Sequence, residues 1–403
     1  MFLGLVSKLG VSYSSCYEYA IAFLASFLVF RKPGTISIFI FICFCLIFYK
    51  KIKFNRRKIL SIAIIATPLI LDLVFLWNNE LISEGFKQME KRLSFLIFPM
   101  LIINQSFPLN LRKILKIYSV TFSSLLYILL FRFIIQNPEL VRKYLQGIDL
   151  WEMGYKFASS TSVHAPALNM HVCFLVVVNT YLLATFFIYK NGKVINYRLI
   201  LFIGSIIILF IINTRLAIVN SLIGMCLILC NELFKKKVSL KKLISITAGI
   251  GLIFFIILLS FTKVFPYITE KYTVVTFAHM DKIGRLDEFE NPEGEVFNSL
   301  VTRLSIWKTA WERAQRDILI GVGAADGKYE LSQAYIDTNQ VFLTKYKFPT
   351  HNQYLDFLLK FGVLGLLGLI GFILYSFWIG WKLNSSIVLF FSFLCFKILS
   401  LFL

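Results

Sequence analysis

The chain has 403 residues, of which 58% are hydrophobic and 16% aromatic, and its mean hydropathy is +0.75. A water-soluble domain cannot bury so much apolar surface, so a soluble globular enzyme is excluded. The formal net charge is +20, but the basic residues lie in short runs between apolar stretches. This arrangement is typical of membrane topology and not of nucleic-acid binding.

Apolar stretches long enough to cross a bilayer recur along the chain. A hydrocarbon core about 30 Å thick requires roughly 20 apolar residues per helix, and the chain offers about eleven such stretches. They cover residues 11–30, 35–49, 59–77, 93–107, 114–135, 167–189, 199–213, 216–234, 243–261, 363–381 and 386–403. Because hydrocarbon leaves no partner for an unpaired backbone group, the predicted fold is an all-α integral membrane protein with about 11–12 transmembrane helices.

The basic residues decide the predicted orientation. With a cytoplasmic N-terminus, the inside loops carry eighteen basic residues and one acid, Glu232. The positive-inside rule favours this arrangement. We therefore expect transmembrane helices across 1–261, with a longer outside loop at 136–166, a large outside loop at 262–350, and C-terminal transmembrane helices across 351–403. The first helix is expected to be retained, because no cleavage site follows it.

Within the large loop, residues 299–316 are predicted to form an amphipathic helix. Its expected apolar face consists of Leu300, Leu304, Trp307, Trp311 and Ala314, with Lys308–Glu312 and Glu312–Arg316 pairs on the other side. A turn at Ile320–Ala324 is expected to follow it. The helix is predicted to lie against the membrane surface or the helix bundle.

Two arginines are candidates for binding an anion at the outer face of the membrane. Arg215 occupies the tight turn between spans 199–213 and 216–234, where an ionisable side chain is costly unless it has a function. Arg303 lies one turn before Trp307 at the edge of the amphipathic face. A guanidinium fork is suited to bidentate binding of phosphate or pyrophosphate. The alternatives are a snorkelling interfacial arginine at 215 and a surface arginine stacked on Trp307 at 303.

The large loop ends in His351-Asn352. A histidine at the mouth of a helix, with an ordinary pKa of about 6.5, is suited to taking a proton from an attacking hydroxyl. Asn352 fits the N-cap position of the helix that follows. Gly362 and Gly365 are equally compatible with close helix packing and with a catalytic role.

Other polar residues near the outer face carry weaker predictions. His164 and His171 lie near the outer end of span 167–189, where either is a candidate for contacting a substrate, and packing or, more weakly, metal ligation are the alternatives. Lys87, Lys91 and Arg92 precede span 93–107 and are expected to bind lipid headgroups or substrate phosphates.

Asp72 and Arg132 fall inside predicted spans, so we expect each to be paired with the other or with the backbone. The seven cysteines lie in or beside apolar stretches, and neither a disulfide framework nor a metal cluster is expected from their spacing.

The pattern of His351-Asn352, nine residues, Gly362, two residues and Gly365 resembles the hallmark of the O-antigen ligase family, membrane glycosyltransferases related to O-antigen polymerases. The run Thr302–Trp307, the turn Gly321-Val-Gly323 and Arg215 resemble other recurrent positions of that family. The likeness covers residues 198–371 best. The chain departs from the family pattern in having eleven predicted spans instead of about twelve, which leaves its C-terminus outside.

The resemblance implies a GT-C-like fold and transfer of a glycan from undecaprenyl pyrophosphate to a lipid A-core acceptor on the periplasmic face of the bacterial inner membrane. Arg215 and Arg303 would act on the leaving pyrophosphate, and His351 would deprotonate the acceptor hydroxyl. Asn352, His164 and Arg92 complete the expected substrate-binding residues. No Asp-rich motif lies outside, so metal-independent catalysis without a cofactor is expected, with membrane lipids as partners and no nucleic acid.

Two alternative functions remain open at this stage. A polymerase of the same superfamily would use the same donor and a growing carrier-linked glycan as acceptor. A polysaccharide flippase or transporter would be expected to have duplicated halves and basic residues deep within several spans, and the sequence has neither.

Overall fold

The computed structural model describes residues 12–148, 150–189, 196–235, 278–297 and 299–401. Within these ranges the chain is nearly all helical and has no β-strand, and one isolated antiparallel bridge joins Ile52 and Gln105. The described helices are α1 Tyr13–Phe27, α2 Arg31–Ile47, α3 Arg56–Ile65, α4 Thr67–Val74, α5 Ile82–Arg92, α6 Ser94–Ile103, α7 Leu111–Gln136, α8 Pro138–Leu145, α9 Leu150–Ser160, α10 Ala165–Tyr189, α11 Asn196–Ile212, α12 Arg215–Lys235, α13 Pro292–Glu295, α14 Leu300–Arg316, α15 Gly327–Asp337, α16 Val341–Tyr346, α17 Gln353–Lys382 and α18 Ser386–Leu401.

Four of the described helices are long and apolar enough to cross a membrane. They are α7, the Ala165–Phe186 part of α10, α12 and α17, and a shorter apolar helix covers Tyr197–Ile212. The predicted all-α class is therefore confirmed for the described residues, and four of the predicted spans have helices suited to crossing a membrane. The predicted span 243–261 lies outside the described residues, and the periplasmic placement of the long loops stays a prediction.

Two predicted spans are not continuous membrane-length helices. The stretch 59–77 is divided at Ala66 into α3 and α4, with Pro68 in the first turn of α4. Proline has no backbone N–H, so it is favoured in the first turn of a helix and destabilising in the interior, and the chain breaks before Pro68 where hydropathy alone predicts one helix. The stretch 93–107 contains only the ten-residue helix α6, with Pro99 inside it.

The described residues form two compact units that are each made from separate parts of the chain. The first unit takes its residues from 1–52, 105–256 and 385–390, and the second takes them from 53–104, 257–384 and 391–403. Helices α1, α2 and α7–α12 therefore belong to the first unit, and helices α3–α6 and α13–α17 belong to the second.

In the first unit, α10 packs against α11 and α12. Its apolar side chains are fully buried at Leu168, Leu175 and Val176. Buried polar groups within the same unit are bonded to one another, since the Asn179 amide donates to the Leu201 carbonyl at 3.0 Å and to the Ser205 hydroxyl at 3.1 Å. Such bonding is required where buried polar atoms have no water to replace a missing partner.

In the second unit, α14 packs against the first half of α17 and against α15. Their buried apolar side chains form one cluster that also includes α16. Its members from these helices include Val301, Ile306, Ala310, Tyr335, Phe342, Leu343, Leu358 and Leu359. Arg303 lies on α14 and His351 just before α17, so this cluster holds in place the helices to which both residues are attached.

The buried face of α14 differs from the predicted one. Val301, Thr302, Ser305, Ile306, Thr309, Ala310 and Ala314 are buried, whereas Trp311 is 44% exposed. The pattern of hydropathy missed this face because it contains small hydroxyl side chains. Ser305 donates to the Val301 carbonyl and Thr309 to the Ser305 carbonyl, so these hydroxyls are satisfied within the helix and can enter the core. The charged pairs observed on this helix are Arg313 with Asp317 and with Glu330, and not the two predicted pairs.

Candidate functional site

The candidate site of the second unit is built on a break in α17. Gly362 has φ 63° and ψ −159°, a conformation that ends regular helix and is reached almost solely by glycine. The loop after α14 pairs with the backbone exposed at this break. Val322 and Gly323 donate to the Leu359 and Lys360 carbonyls at 2.9 Å each, and Val363 donates to the Ile318 carbonyl at 2.8 Å. The break thus joins the end of the α14 segment to the middle of α17.

Glycine is required at this junction because the two backbones touch. A Cβ atom at Gly362 would collide with the Leu319 carbonyl, and one at Gly321 would collide with the backbone of Lys360. Gly321 also has φ 74°, which disfavours any other residue. The Gly321-Val-Gly323 turn and Gly362 of the His351 motif therefore form one structural contact, and the prediction of close packing describes Gly362 well.

A turn from outside the large loop contacts the same junction. The Asn78 amide donates to the Gly321 carbonyl at 2.9 Å, and the Ala325 N–H donates to the Asn79 side-chain oxygen at 2.8 Å. The Glu80 N–H donates to an Asp326 carboxylate oxygen at 2.7 Å. These bonds connect residues 321–326 to the 78–80 turn in addition to α17.

Arg92 lies in a partly buried charge cluster beside the junction. Its guanidinium donates to Asp72 at 2.6 Å and lies over the rings of Phe357 and Phe361, 5.3 and 5.7 Å from their centroids. The Asp72 side chain is fully buried. Lys360 pairs with Asp356 at 2.6 Å on the same part of α17. Arg92 therefore connects α5 to α4 and α17, and its predicted role in substrate binding stays a prediction.

The expected pairing of Asp72 with Arg132 is wrong. Asp72 pairs with Arg92, which lies in the same unit, whereas Arg132 belongs to the first unit and its side chain is exposed. The sequence placed both groups inside apolar stretches but contained no signal that would bring α5 onto α4. An exposed arginine on an apolar helix can direct its long side chain along the helix toward polar surroundings.

His351 stands immediately before α17 in a left-handed conformation, with φ 49°. Its side chain is half-buried, and its Nδ1 atom is buried with no hydrogen-bond partner among the described residues. The next residue, Asn352, caps α17 by accepting from the Tyr354 and Leu355 N–H groups at 3.0 and 3.4 Å. The N-cap prediction for Asn352 is confirmed, and the cap fixes the backbone to which the histidine is attached.

Arg303 lies close enough to His351 to act on it electrostatically. Burial, and then the positive charge of Arg303, hold the pKa of His351 below its ordinary value. Both effects disfavour the imidazolium, since burial disfavours a charged ring and a like charge repels it. The structure thus brings together two of the predicted site residues, and His351 is neutral near pH 7.

Trp307 follows Arg303 by one turn of α14 and packs at the edge of the apolar cluster of the second unit. Its indole Nε1 is buried and has no hydrogen-bond partner among the described residues. A buried donor without a partner is destabilising and is therefore uncommon in folded proteins. Two residues of this region, Trp307 on α14 and His351 before α17, therefore each have a buried side-chain nitrogen without a hydrogen-bond partner among the described residues.

Arg215 lies in the first unit, at the first position of α12. The preceding turn is tight, with Asn213 at φ 51°, as the sequence predicts. Asn169 of α10 supports this turn by donating to the Thr214 hydroxyl at 2.8 Å and to the Leu209 carbonyl at 3.3 Å. The Arg215 side chain is half-buried. Its participation in one site with Arg303 stays a prediction.

The other predicted site residues lie at the surface of the protein or within a helix. His164 is exposed in the loop before α10 and packs edge-on against Tyr155 at 6.4 Å, and His171 lies within α10. Lys87 and Lys91 are exposed on α5, where they bond to Glu84 and Gln88. Among the described residues, no group of three or more His, Cys, Asp or Glu side chains is arranged to hold a metal ion. Metal-independent catalysis stays a prediction.

Asn78, Asn79 and Asp326 are the structural residues of the junction that the sequence analysis did not single out. The available signal was weak: two adjacent amides, Asn78-Asn79, follow a predicted span, where a solvated loop end is the ordinary interpretation. Their partners are more than 240 positions away in the chain. No local pattern predicts a pairing at that separation.

Comparison with known proteins agrees with the sequence resemblance. Residues 200–370 match the family model described as O-Antigen ligase, and this range contains Arg215, Arg303, the Gly321–Gly323 turn, the His351 motif and the break at Gly362. No curated protein matches the chain. The residues of the match lie in both units, whereas the Asn78–Glu80 turn and Arg92 lie outside it. The chain thus contains a region, residues 200–370, that matches the O-Antigen ligase family model, and four of its described helices are long and apolar enough to cross a membrane.

Proposed function

We propose that this protein is an O-antigen ligase-type glycosyltransferase, which moves a glycan from undecaprenyl pyrophosphate to a lipid A-core acceptor on the periplasmic face of the inner membrane. The observation that carries the proposal is the placement of Arg303 beside His351 inside the family domain. An anion-binding group and a neutral imidazole at one location are what a transfer from a pyrophosphate to a hydroxyl requires.

On the donor side, Arg303 binds the pyrophosphate in this proposal. As the bond between the anomeric carbon and the phosphate oxygen breaks, the electron pair and the negative charge move to the leaving pyrophosphate. A guanidinium fork stabilises that charge through two parallel hydrogen bonds. Arg215 would supply a second cation to the same group.

On the acceptor side, His351 accepts the proton of the attacking hydroxyl while the oxygen forms its bond to the anomeric carbon. A base must be unprotonated before it can act, and the depressed pKa of His351 keeps it so near neutral pH. Binding of the anionic donor beside Arg303 would offset the positive charge that depresses this pKa. The imidazolium formed in the reaction would then be better tolerated than in the empty site.

Two sets of variants test the donor and acceptor roles in purified full-length protein in nanodiscs. Arg303→Lys should lose transfer nearly as completely as Arg303→Ala, by about two to three decades, because an ammonium retains the charge but not the planar fork. His351→Ala should lose about two to four decades of transfer and retain donor binding. The matched control is Arg316→Ala, which removes an exposed arginine from the same helix.

Each role has its own contradicting result. Normal transfer by Arg303→Lys at equal protein level would reduce Arg303 to an interfacial anchor. Loss of donor binding by His351→Ala in proportion to transfer would assign the histidine to the pyrophosphate site.

Deletion of the gene, followed by gel analysis of lipopolysaccharide, distinguishes ligase from polymerase. A complete core without long chains is expected for a ligase, whereas core bearing single repeat units would identify a polymerase. The predicted topology is tested by cysteine labelling at two exposed positions, Lys53 and Lys328. An impermeant reagent should label Lys328→Cys in intact spheroplasts, and labelling of Lys53→Cys would overturn the periplasmic assignment.

A further inference from the structure

The first unit contains a small open cavity that none of the roles above uses. It lies among the N-terminal parts of α7 and α11 and the C-terminal part of α10, and its volume of about 10 Å³ leaves room inside for about one water-sized group. Polar groups in its wall come from Lys116, Ser119, Asn179, Tyr197 and Arg198, and Val120 and two leucines complete it. None of its lining residues is acidic.

Arg198 is held in a defined orientation at the wall of this cavity. Its Nε donates to the Tyr197 hydroxyl at 3.1 Å and its Nη1 to the Leu182 carbonyl at 3.2 Å. The guanidinium also lies over the Phe186 ring, 4.7 Å from its centroid. A guanidinium carries five N–H donors, so these two bonds fix the orientation of the group and leave its other N–H donors available to a ligand.

The uncharged part of the wall is already satisfied internally. Ser119 bonds to the Asn179 side-chain oxygen, and the Asn179 amide bonds to Leu201 and Ser205. The attraction that the cavity offers to a ligand is therefore mainly that of its two cations, Lys116 and Arg198. Two further basic residues lie on the first turn of the same α7 helix, where Arg112 donates to Thr185 at 3.3 Å and Lys113 pairs with Glu18 at 2.9 Å.

Both cations lie near the first residue of their helices. Lys116 is the sixth residue of α7 and Arg198 the third of α11, so at about 1.5 Å per residue each lies within roughly 8 Å of its helix end. The predicted topology places this end on the cytoplasmic side, opposite the proposed transfer site. Basic pockets between transmembrane helices on that side are suited to lipid phosphates.

We propose that the open side of this cavity binds a phosphate group, as presented by the headgroup of an anionic phospholipid, between Arg198 and the exposed Lys116. Arg198 contributes directed hydrogen bonds and Lys116 a mobile point charge from the facing helix. A bound headgroup would link α7, α10 and α11 at one membrane face. Free inorganic phosphate offers the same chemistry without the acyl chains, and the experiment separates these two sources.

The test uses the purified full-length chain and measures lipid retention by native mass spectrometry. The wild type should retain phosphatidylglycerol in preference to phosphatidylcholine. Lys116→Gln changes an exposed side chain and should lower the affinity for phosphatidylglycerol about fivefold. This is about the gain in affinity for an anionic lipid that one nearby basic residue provides. Lys116→Gln with Arg198→Gln should lower it about 25-fold. Lys50→Gln with Lys51→Gln removes two exposed charges from the same predicted face and should have no effect.

A second measurement covers the other source of phosphate. If phosphatidylglycerol is not retained, but inorganic phosphate raises the melting temperature of the wild type and not of Lys116→Gln, the cavity binds free phosphate. Equal retention by the wild type, Lys116→Gln and the double variant, without a phosphate effect, would overturn the proposal. An equal loss in the Lys50 and Lys51 control would also overturn it, because the effect would then belong to the general surface charge.

Discussion

Substitution of Gly362 by alanine tests whether the fold requires glycine at this position of the His351 motif because of its backbone conformation and its close backbone contact. Its φ of 63° with ψ of −159° is a region that other residues avoid, and forcing alanine into it costs about 1–3 kcal/mol. The added methyl group would also overlap the Leu319 carbonyl, and overpacking of this kind costs about 1–3 kcal/mol more. We therefore expect Gly362→Ala to lower the free energy of unfolding by about 2–6 kcal/mol.

The same helix supplies a matched control at Gly371. A Cβ atom there meets no atom within 4 Å, and the residue is exposed and helical. Alanine at such a position is expected to be neutral or to stabilise by about 0.5–1 kcal/mol. The assay is SDS-induced unfolding of the two purified variants, with glycan transfer measured on the same samples. Equal stability of Gly362→Ala and Gly371→Ala would refute the backbone junction as the reason for glycine.

The remaining predictions concern the charge cluster, the cap and the histidine. Arg92→Met should destabilise by about 3–5 kcal/mol because it leaves Asp72 buried without its cation, and Asp72→Asn added to it should restore most of this loss in the same unfolding assay; additive losses would contradict the pair. Asn352→Ala should cost about 1 kcal/mol through the lost cap, which an unchanged unfolding midpoint would disprove. Transfer should decline at acid pH with a midpoint below 6.5, the ordinary pKa of histidine, because the pKa of His351 is depressed; a midpoint at or above 6.5 would contradict this prediction. Arg303→Gln should raise the pKa of His351 toward its ordinary value, measured by NMR titration of a protein with four histidines; an unchanged value would exclude the electrostatic contact.

The sequence was most informative where one local signal decided the structure. Continuous apolar runs predicted the membrane class, and the polar residue before an apolar run predicted the cap at Asn352. The turn before Arg215 was likewise predictable, because two apolar runs leave no room for a longer connection. In each case the chain neighbours of the residue determine its conformation.

The sequence was least informative where distant segments meet. The buried face of α14 includes Thr302, Ser305 and Thr309, although hydroxyl side chains are polar. The Ser305 and Thr309 hydroxyls donate to carbonyls within the helix, and the Thr302 hydroxyl donates to the Val296 carbonyl before it. The pairing of Arg92 with Asp72 depends on how α5 folds back onto α4, and hydropathy predicted one continuous span through α4 instead. Such contacts depend on tertiary packing, which residue type and spacing do not contain.

The contacts of the Asn78–Glu80 turn set a rule for exchanging parts between relatives. That turn lies outside the matched range 200–370, yet it bonds to Gly321, Ala325 and Asp326 inside it. A chimera that swaps only the matched range would place a foreign loop against the native turn and leave those backbone groups mispaired. A chimera that exchanges residues 67–92 together with residues 318–362 would instead transfer the junction intact. Chimeras made to change specificity should therefore take both segments from the same protein.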